Sequence, residues 1–404
     1  MTELGVLLLF LLSILSIFLV PASHRSVGVV AMFFVFVGAH HVISIINTVF
    51  VILPGADYDA HYFHLNALRA LENQRVPIFT VGTGVYEWII YTLYTVFGAS
   101  KLLSQSLNVL FAALSAVAVC RITSIVDHRV SYYPILGLLA ISPSILFFTS
   151  ITFREVFQLF GFVLGCFYFF KAINDKQVKW LALSFLLLIF MGAFHHVLLI
   201  IAVLMSVLSF CIYLGKHAGK NYREGLKVIS IGFAFLFIGS AVVLFFPASN
   251  GNDYLEMLQH SGSIQNMIDQ YRQAVDSANP RSSYGFAVDT SSVGSALLGL
   301  LRSYLFYLVG FWPSESARWL DFIPLAGGLL RFLGLGCFIY LLFTRQLNFY
   351  NAALFVMFIG MSFIWSMGTT NFGQAFRHNV LTDWIPVIWI SLVFFPKTSA
   401  ANEK

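Results

Sequence analysis

Long apolar runs alternate with short polar segments along most of this chain. Runs such as Val27–Leu53 and Phe349–Met367 can cross a hydrocarbon core of about 30 Å when they are helical, at about 1.5 Å per residue. Their positions are continuously apolar, whereas the strands of a transmembrane β-barrel alternate apolar and polar residues. The pattern therefore predicts membrane-spanning helices.

We predict an all-α polytopic membrane protein with about eleven transmembrane helices, in one integral membrane domain over residues 1–404. The run from Trp180 to Leu214 would be about 52 Å long as one helix, so we expect two short helices that turn at Gly192–His196. The other predicted spans are Leu4–Val20, Val27–Leu53, Leu102–Val119, Tyr133–Phe148, Thr152–Phe170, Val228–Phe246, Leu325–Phe343, Phe349–Met367 and Val380–Phe395.

Residues 54–101 are predicted to form the first loop outside the membrane, with two surface helices. Apolar positions of the first helix recur every three residues, at Tyr62, Leu65, Leu68 and Leu71. The second helix, Val85–Gly98, is too short to cross and carries interfacial aromatic residues. We therefore expect both helices to lie on the outer surface.

A second, larger outer loop is predicted over residues 247–324. Its run 296–311 is interpreted as a helix at the membrane interface, and the alternative that it crosses the membrane is left open. If it crossed, basic residues near the C-terminus would exchange sides, against the usual excess of Lys and Arg in cytoplasmic loops.

Composition supports the membrane assignment and excludes several classes of protein. The chain is 59% hydrophobic and only 10% charged, whereas soluble domains carry about 25% charged residues. The net charge of +5 fits basic cytoplasmic loops, and no basic stripe with interleaved aromatics suggests a nucleic-acid partner. The four cysteines lie in or beside apolar runs and are interpreted as buried hydrophobes.

The predicted topology places a set of polar residues on the outer side, near the ends of apolar runs. A single charge at a helix end usually caps the helix or reaches toward water, but the gathering of many on one side favours a site. The candidates are Asp57, Asp59, His61, His64, Arg154, Glu155, His195, His196, Arg272, Arg281, Arg377 and His378.

Arg154 lies at the predicted start of a helix, where a cation is unfavourable, so we expect it to have an anionic partner. Arg154 and Arg377 suit phosphate, because guanidinium groups bind it through two hydrogen bonds. His195 and His196 are interpreted either as general bases or as imidazoles bonded to the backbone of a turn. Asp57 and Asp59 form an Asp-x-Asp pair, which is either an acidic loop cap, a proton acceptor or a divalent-cation site.

The order of segments over residues 27–170 resembles the GT-C superfamily of polyprenyl-phosphate-dependent membrane glycosyltransferases. The resemblance rests on an acidic first outer loop, a surface helix ending in Phe-Gly and the later stretch SPSILFFTSITFREVFQLF. It implies that an acidic residue of that loop acts as a base or binds a metal ion. In this chain the role would fall on Asp57 or Asp59.

The second half is similar to the Wzy-type polymerases of O-antigen and exopolysaccharide repeat units. Those proteins have an Arg near a helix start, here Arg154, a His in the next apolar helices, here His195 or His196, and an Arg in the last outer loop, here Arg377. The Arg-x10-Gly motif of some polymerases and the later glycines of the O-antigen ligases are absent. The resemblance implies metal-independent chemistry on lipid pyrophosphates.

These resemblances together imply a repeat-unit polymerase in a bacterial inner membrane, with its site facing the periplasm and no cofactor. Its partners would be undecaprenyl-linked glycan, the lipid bilayer and a chain-length co-polymerase. Arg272 and Arg281 of the large outer loop would contact sugar. Two alternatives stay open, namely a transferase that moves one sugar from polyprenyl phosphate, with a metal ion at Asp57 and Asp59, and a polysaccharide transporter or flippase.

Overall fold

The computed structural model describes residues 1–53, 56, 59–214, 293–309, 322–369 and 372–396. Within these ranges the chain is helical, and its one β contact is an isolated antiparallel bridge between Val130 and Pro396. The prediction of an all-helical architecture is confirmed for this part of the chain.

The first half of the chain forms a series of helices joined by short turns. In order they are α1 (Thr2–Leu15), α2 (Val27–Ile45), α3 (Asp59–Glu72), α4 (Thr83–Phe97), α5 (Lys101–Val126), α6 (Tyr132–Ile141), α7 (Pro143–Phe148), α8 (Glu155–Asp175), α9 (Val178–Ala193) and α10 (His196–Leu214). The described part of the second half contains α11 (Val293–Val309), α12 (Phe322–Phe343), α13 (Phe349–Gly368), α14 (Phe372–His378) and α15 (Trp384–Phe394).

Six helical segments in the described part of the chain are long and apolar enough to cross a membrane. They are Thr2–Leu19, Val27–Phe50, Lys101–Val126, Glu155–Asp175, Phe322–Phe343 and Phe349–Ser366. Shorter apolar helices coincide with other predicted spans, and α9 and α10 confirm the predicted pair of helices within Trp180–Leu214. Because Val228–Phe246 lies outside the described residues, the count of about eleven spans stays a prediction.

Two predicted spans are broken, so the prediction of continuous helices there was wrong. The run Tyr133–Phe148 divides into α6 and α7 at Ser142, which is extended because Pro143 follows it. The run Val380–Phe395 begins with a 3-10 turn at Asn379–Leu381, and α15 starts only at Trp384.

Helices α3 and α4 confirm the two helices predicted for residues 54–101, and they pack against each other as a hairpin. The buried residues of α3 differ from the recurring large apolar positions. Tyr62 is 62% exposed, whereas Ala60, Phe63 and Ala67 are buried. Small alanines mark this face because α4 approaches closely there, and a count of large apolar residues does not detect them.

The most buried long helices are α5, α8 and α13, and α8 packs antiparallel against α9. Gly161 and Gly165 permit that contact, since a Cβ on Gly161 would lie 2.9 Å from the Leu187 carbonyl oxygen. Helix α8 is about 31 Å long, so its two ends lie at opposite ends of the bundle.

Basic residues collect at the end of the bundle where α8 finishes. The connections at this end carry few acidic residues, Asp127 and Asp175 among them. The basic residues are Arg25, Arg121, Arg129, Lys171, Lys176, Lys179 and Arg345. The opposite end, where α8 begins, holds the polar cluster described next.

Candidate active site

A bent segment before α8 sets the position of Arg154 and Glu155. The buried amide of Asn108, on α5, donates to the carbonyl oxygens of Ile151 and Phe153, with a distance of 3.0 Å to the latter. The hydroxyls of Ser104 and Thr152 lie 2.9 Å apart. Helix α5 thus fixes the backbone immediately before Arg154, which occupies the N-cap position of α8.

Arg377 bridges two carboxylates from distant parts of the chain. Its Nε donates to Glu155 Oε1 and its Nη1 donates to Asp59 Oδ2, each at 2.5 Å. Its guanidinium carbon lies 4.3 Å from the centre of the Phe153 ring, within range of a cation–π contact. Burial alone lowers the pKa of Arg377, but Glu155 and Asp59 outweigh this effect and the pKa is raised.

The two carboxylates on Arg377 differ in their access to solvent. The side chain of Glu155 is 2% exposed, and that of Asp59 is 55% exposed. The second carboxylate oxygen of Glu155, Oε2, is buried and has no hydrogen-bond partner among the described residues. Glu155 is also in the first turn of α8, where the helix dipole favours a negative charge.

Arg154 has no carboxylate of its own among the described residues. Its Nε is buried without a hydrogen-bond partner there. Burial lowers the pKa of Arg154, Glu155 raises it, and Arg377 lowers it again. A buried guanidinium next to a second one, without a paired anion, is suited to bind an anionic ligand.

His195 lies in the turn between α9 and α10, as predicted. Its Nδ1 accepts a hydrogen bond from the Val197 amide at 3.3 Å, which leaves the ring proton on Nε2. Burial, followed by the charges of Arg154 and Arg377, lowers the pKa of His195 to about 3. A neutral imidazole with this pKa donates a hydrogen bond from Nε2 but is a weak base.

Trp365, near the end of α13, joins the two histidines of the cluster. The His378 ring stacks on it with centroids 3.8 Å apart, and the His195 ring meets it edge-on at 5.0 Å. Burial lowers the pKa of His378 well below its ordinary value, and Arg377 contributes to this effect. His378 is therefore neutral and forms part of an aromatic wall beside Arg377.

His196 contacts the loop before α4. A Cβ on Gly82 would lie 3.1 Å from His196 Nε2, and Gly82 has a φ of +103°, which favours glycine. The amide of Gly82 donates to the Ala193 carbonyl at 2.8 Å. This loop therefore docks on the turn that carries His195.

His64 and His61 stand apart from the Arg377 cluster. His64 Nδ1 lies 2.7 Å from the Tyr94 hydroxyl, which donates to Ser104 at 3.4 Å and so reaches the bent segment through α5. Burial lowers the pKa of His64. His61 is exposed on α3. A direct role of either histidine in binding phosphate stays a prediction.

Three candidate residues lie outside the described part of the chain: Asp57, Arg272 and Arg281. Within the described residues there is no group of three or more His, Cys, Asp or Glu side chains that could hold a metal ion. A divalent cation on the Asp57 and Asp59 pair therefore stays a prediction.

Sequence reasoning missed a buried ion pair inside the bundle. Arg331 Nε donates to Asp383 Oδ1, and the two side chains are 0% and 1% exposed. Arg331 Nη2 also donates to Thr382 Oγ1 at 2.9 Å, and the Ser144 hydroxyl donates to Asp383. The signal was available, because each is a lone charge of opposite sign within an apolar run.

Sequence reasoning also missed Glu87 and Trp365. Glu87 lies on α4, accepts a hydrogen bond from Asn66 at 2.9 Å and raises the pKa of Arg154 through its charge. Trp365 was interpreted only as part of an apolar span. In the sequence, neither residue stands at a spacing from other polar residues that distinguishes it from an ordinary interfacial or core residue.

Comparison of the chain with protein-family models, with curated proteins and with solved structures finds no match.

Proposed function

We propose that this protein is a membrane glycosyltransferase of GT-C-like fold, acting on polyprenyl-linked glycan and most specifically a repeat-unit polymerase. The observation that carries the proposal is the gathering of Arg154, Arg377 and Asp59 with neutral imidazoles at one end of an apolar bundle. Anion-binding guanidiniums beside a carboxylate are what transfer from a lipid pyrophosphate needs.

The proposed reaction forms one bond and breaks one bond at the anomeric carbon. An acceptor hydroxyl attacks this carbon, its proton passes to Asp59, and the carbon–oxygen bond to the lipid pyrophosphate breaks with its electron pair on the leaving oxygen. Arg154 and Arg377 stabilise the developing negative charge. His195 Nε2 donates a hydrogen bond to a phosphate or sugar oxygen.

The distribution of charge supports an outward-facing site. The opposite end of the bundle carries an excess of Arg and Lys, which marks the cytoplasmic side of a plasma membrane protein. The cluster at the other end would then face the periplasm, where lipid-linked repeat units are joined.

The test is the lipid-linked glycan of cells that carry the Arg154→Gln variant. Loss of the unpaired guanidinium should lower transfer by about 100-fold or more, by analogy with the loss of one oxyanion-stabilising donor. Arg129→Gln, at the opposite end, is the matched control and should leave the glycan unchanged. Normal glycan in cells with Arg154→Gln would refute the proposal.

The same experiment distinguishes a polymerase from a transferase of single sugars. Loss of a polymerase leaves single repeat units on the lipid. Loss of a monosaccharide transferase leaves an undecorated acceptor instead. Mass spectrometry of the lipid fraction separates the two outcomes.

A transporter is the second candidate, and the Arg331–Asp383 pair favours it. Charges within the bundle and broken helices, such as the break at Ser142, are typical of secondary transporters. The pair is enclosed and hydrogen-bonded, however, which agrees better with a structural role. Normal glycan with Arg154→Gln, together with loss of glycan with Arg331→Gln at an unchanged amount of folded protein in the membrane, would favour transport.

A further inference from the structure

Arg377 pairs with two carboxylates, of which Glu155 is buried and Asp59 is exposed to solvent. Glu155 is buried at the start of α8, so its release would strand a charge in an apolar surrounding. Asp59 is more than half exposed and would be hydrated at once if it left Arg377. Ion pairs with an exposed partner contribute little to stability, so this contact is readily exchanged.

We propose that Asp59 occupies the position of a substrate phosphate oxygen on Arg377 and that an incoming phosphate displaces it. This inference rests on the proposed function, because it assigns the anion to the same site. A phosphate gains Nη1 of Arg377 and, in addition, Nε of Arg154, which has no hydrogen-bond partner among the described residues and no hydrogen bond from Asp59. The exchange therefore favours an anion with several charged oxygens.

Displacement gives Asp59 two successive roles. In the free protein it neutralises Arg377, and after the exchange its carboxylate is released beside the bound phosphate. While Arg377 Nη1 donates to Asp59 Oδ2 this oxygen is occupied, and after the exchange it is free to accept the proton of the attacking hydroxyl. The proton acceptor thus becomes available only when the donor is bound, which protects the site from reaction with water alone.

The test measures binding of inorganic pyrophosphate to the full chain in detergent micelles by titration calorimetry. Asp59→Asn removes the internal competitor and should tighten pyrophosphate binding by about twofold to fivefold, the range of an exposed ion pair. Asp59→Ser, which keeps a polar oxygen at the start of α3, should show the same gain. Arg154→Gln and Arg377→Gln should each weaken binding.

Asp127→Asn is the matched control, because Asp127 pairs with Arg129 at the opposite end of the bundle. It should leave pyrophosphate affinity unchanged. Equal or weaker binding by both Asp59 variants, or no binding of pyrophosphate by the wild-type chain, would overturn the exchange. A gain in affinity with normal glycan in Asp59→Asn cells would instead retain the exchange and reject the proposed transfer reaction.

Discussion

Arg154 and Arg377 are neighbouring guanidiniums with opposite electrostatic situations. Arg377 is held by Glu155 and Asp59, and its charge is balanced in the folded protein. Arg154 is partly buried, and its buried Nε has no partner among the described residues. A charge that is poorly paired in the protein destabilises the fold, and the proposed anionic ligand would account for its presence in the cluster.

This contrast predicts opposite effects of the same substitution on stability. Arg154→Gln should leave the unfolding temperature in detergent unchanged or raise it, because it removes an unbalanced buried charge. Arg377→Gln should destabilise the fold by about 3–5 kcal/mol, because it leaves buried Glu155 without a partner. Thermal unfolding of the two variants in parallel decides this, and an equal loss in both would mean that Arg154 is a structural residue.

His195 predicts a pH dependence of stability. Its pKa is about 3 in the folded protein and about 6.5 when unfolded, and it faces Arg154, Arg377, His196 and His378. Between these values the unfolded chain binds the extra proton, so stability should fall as pH decreases from about 6.5 to about 3. His195→Gln should flatten this part of the curve of unfolding temperature against pH, and an unchanged slope would assign the effect to other groups.

At the scale of the helices, the buried ion pair explains why the last predicted span is broken. Asp383 lies directly before α15, and its partner Arg331 lies in the middle of α12. Arg331 Nη2 also donates to the Asn379 carbonyl at 3.4 Å, in the 3-10 turn that follows His378. The pair therefore fixes the backbone immediately after Arg377 and His378.

The pair makes a prediction about single and double variants. Arg331→Met alone or Asp383→Leu alone should destabilise the protein by about 3–5 kcal/mol, since each leaves a buried charge without its partner. The double variant should recover most of this loss, because neither charge is then present. A double-mutant cycle of unfolding free energies measures the coupling, and additive losses would show that the two residues act independently.

The two helix breaks also show what a sequence can and cannot predict. The break at Ser142 could be predicted from the sequence, because the residue before a proline, here Pro143, disfavours the helical conformation. The break at 379–383 could not be predicted in this way, since it depends on Arg331, which is remote in sequence. In the same way the spacing of large residues did not indicate the buried face of α3, which includes the small residues Ala60 and Ala67.

At the scale of the whole molecule, the ends of helices were easier to predict than the contacts between them. The length of apolar runs indicated that Arg154, His195 and Arg377 lie near helix ends, because a charge is unfavourable in the apolar interior. The apolar runs did not indicate which carboxylate would pair with Arg377. The contact with Glu155 depends on the tertiary packing of α8 and α14, which no local pattern encodes.

The proposed function requires one orientation of the bundle, because it places the joining of lipid-linked repeat units on the outer face of the membrane. Single cysteines at exposed positions of the two ends test it. Tyr62→Cys lies beside the cluster, and Val178→Cys lies at the basic end. In the wild-type chain Tyr62 is 62% exposed and Val178 is 64% exposed. The experiment uses a chain in which Cys211 is replaced by serine, and Cys120, Cys166 and Cys337 are buried and should contribute little background.

A membrane-impermeant maleimide should label Tyr62→Cys in intact spheroplasts and label Val178→Cys only after the membrane is opened. The physical reason is the excess of Arg and Lys at the basic end, which would hold that end on the cytoplasmic side. The reverse pattern would place Arg154 and Arg377 in the cytoplasm. Their anionic ligand would then have to come from the cytoplasmic side, and transfer from an outward-facing lipid-linked glycan would be excluded.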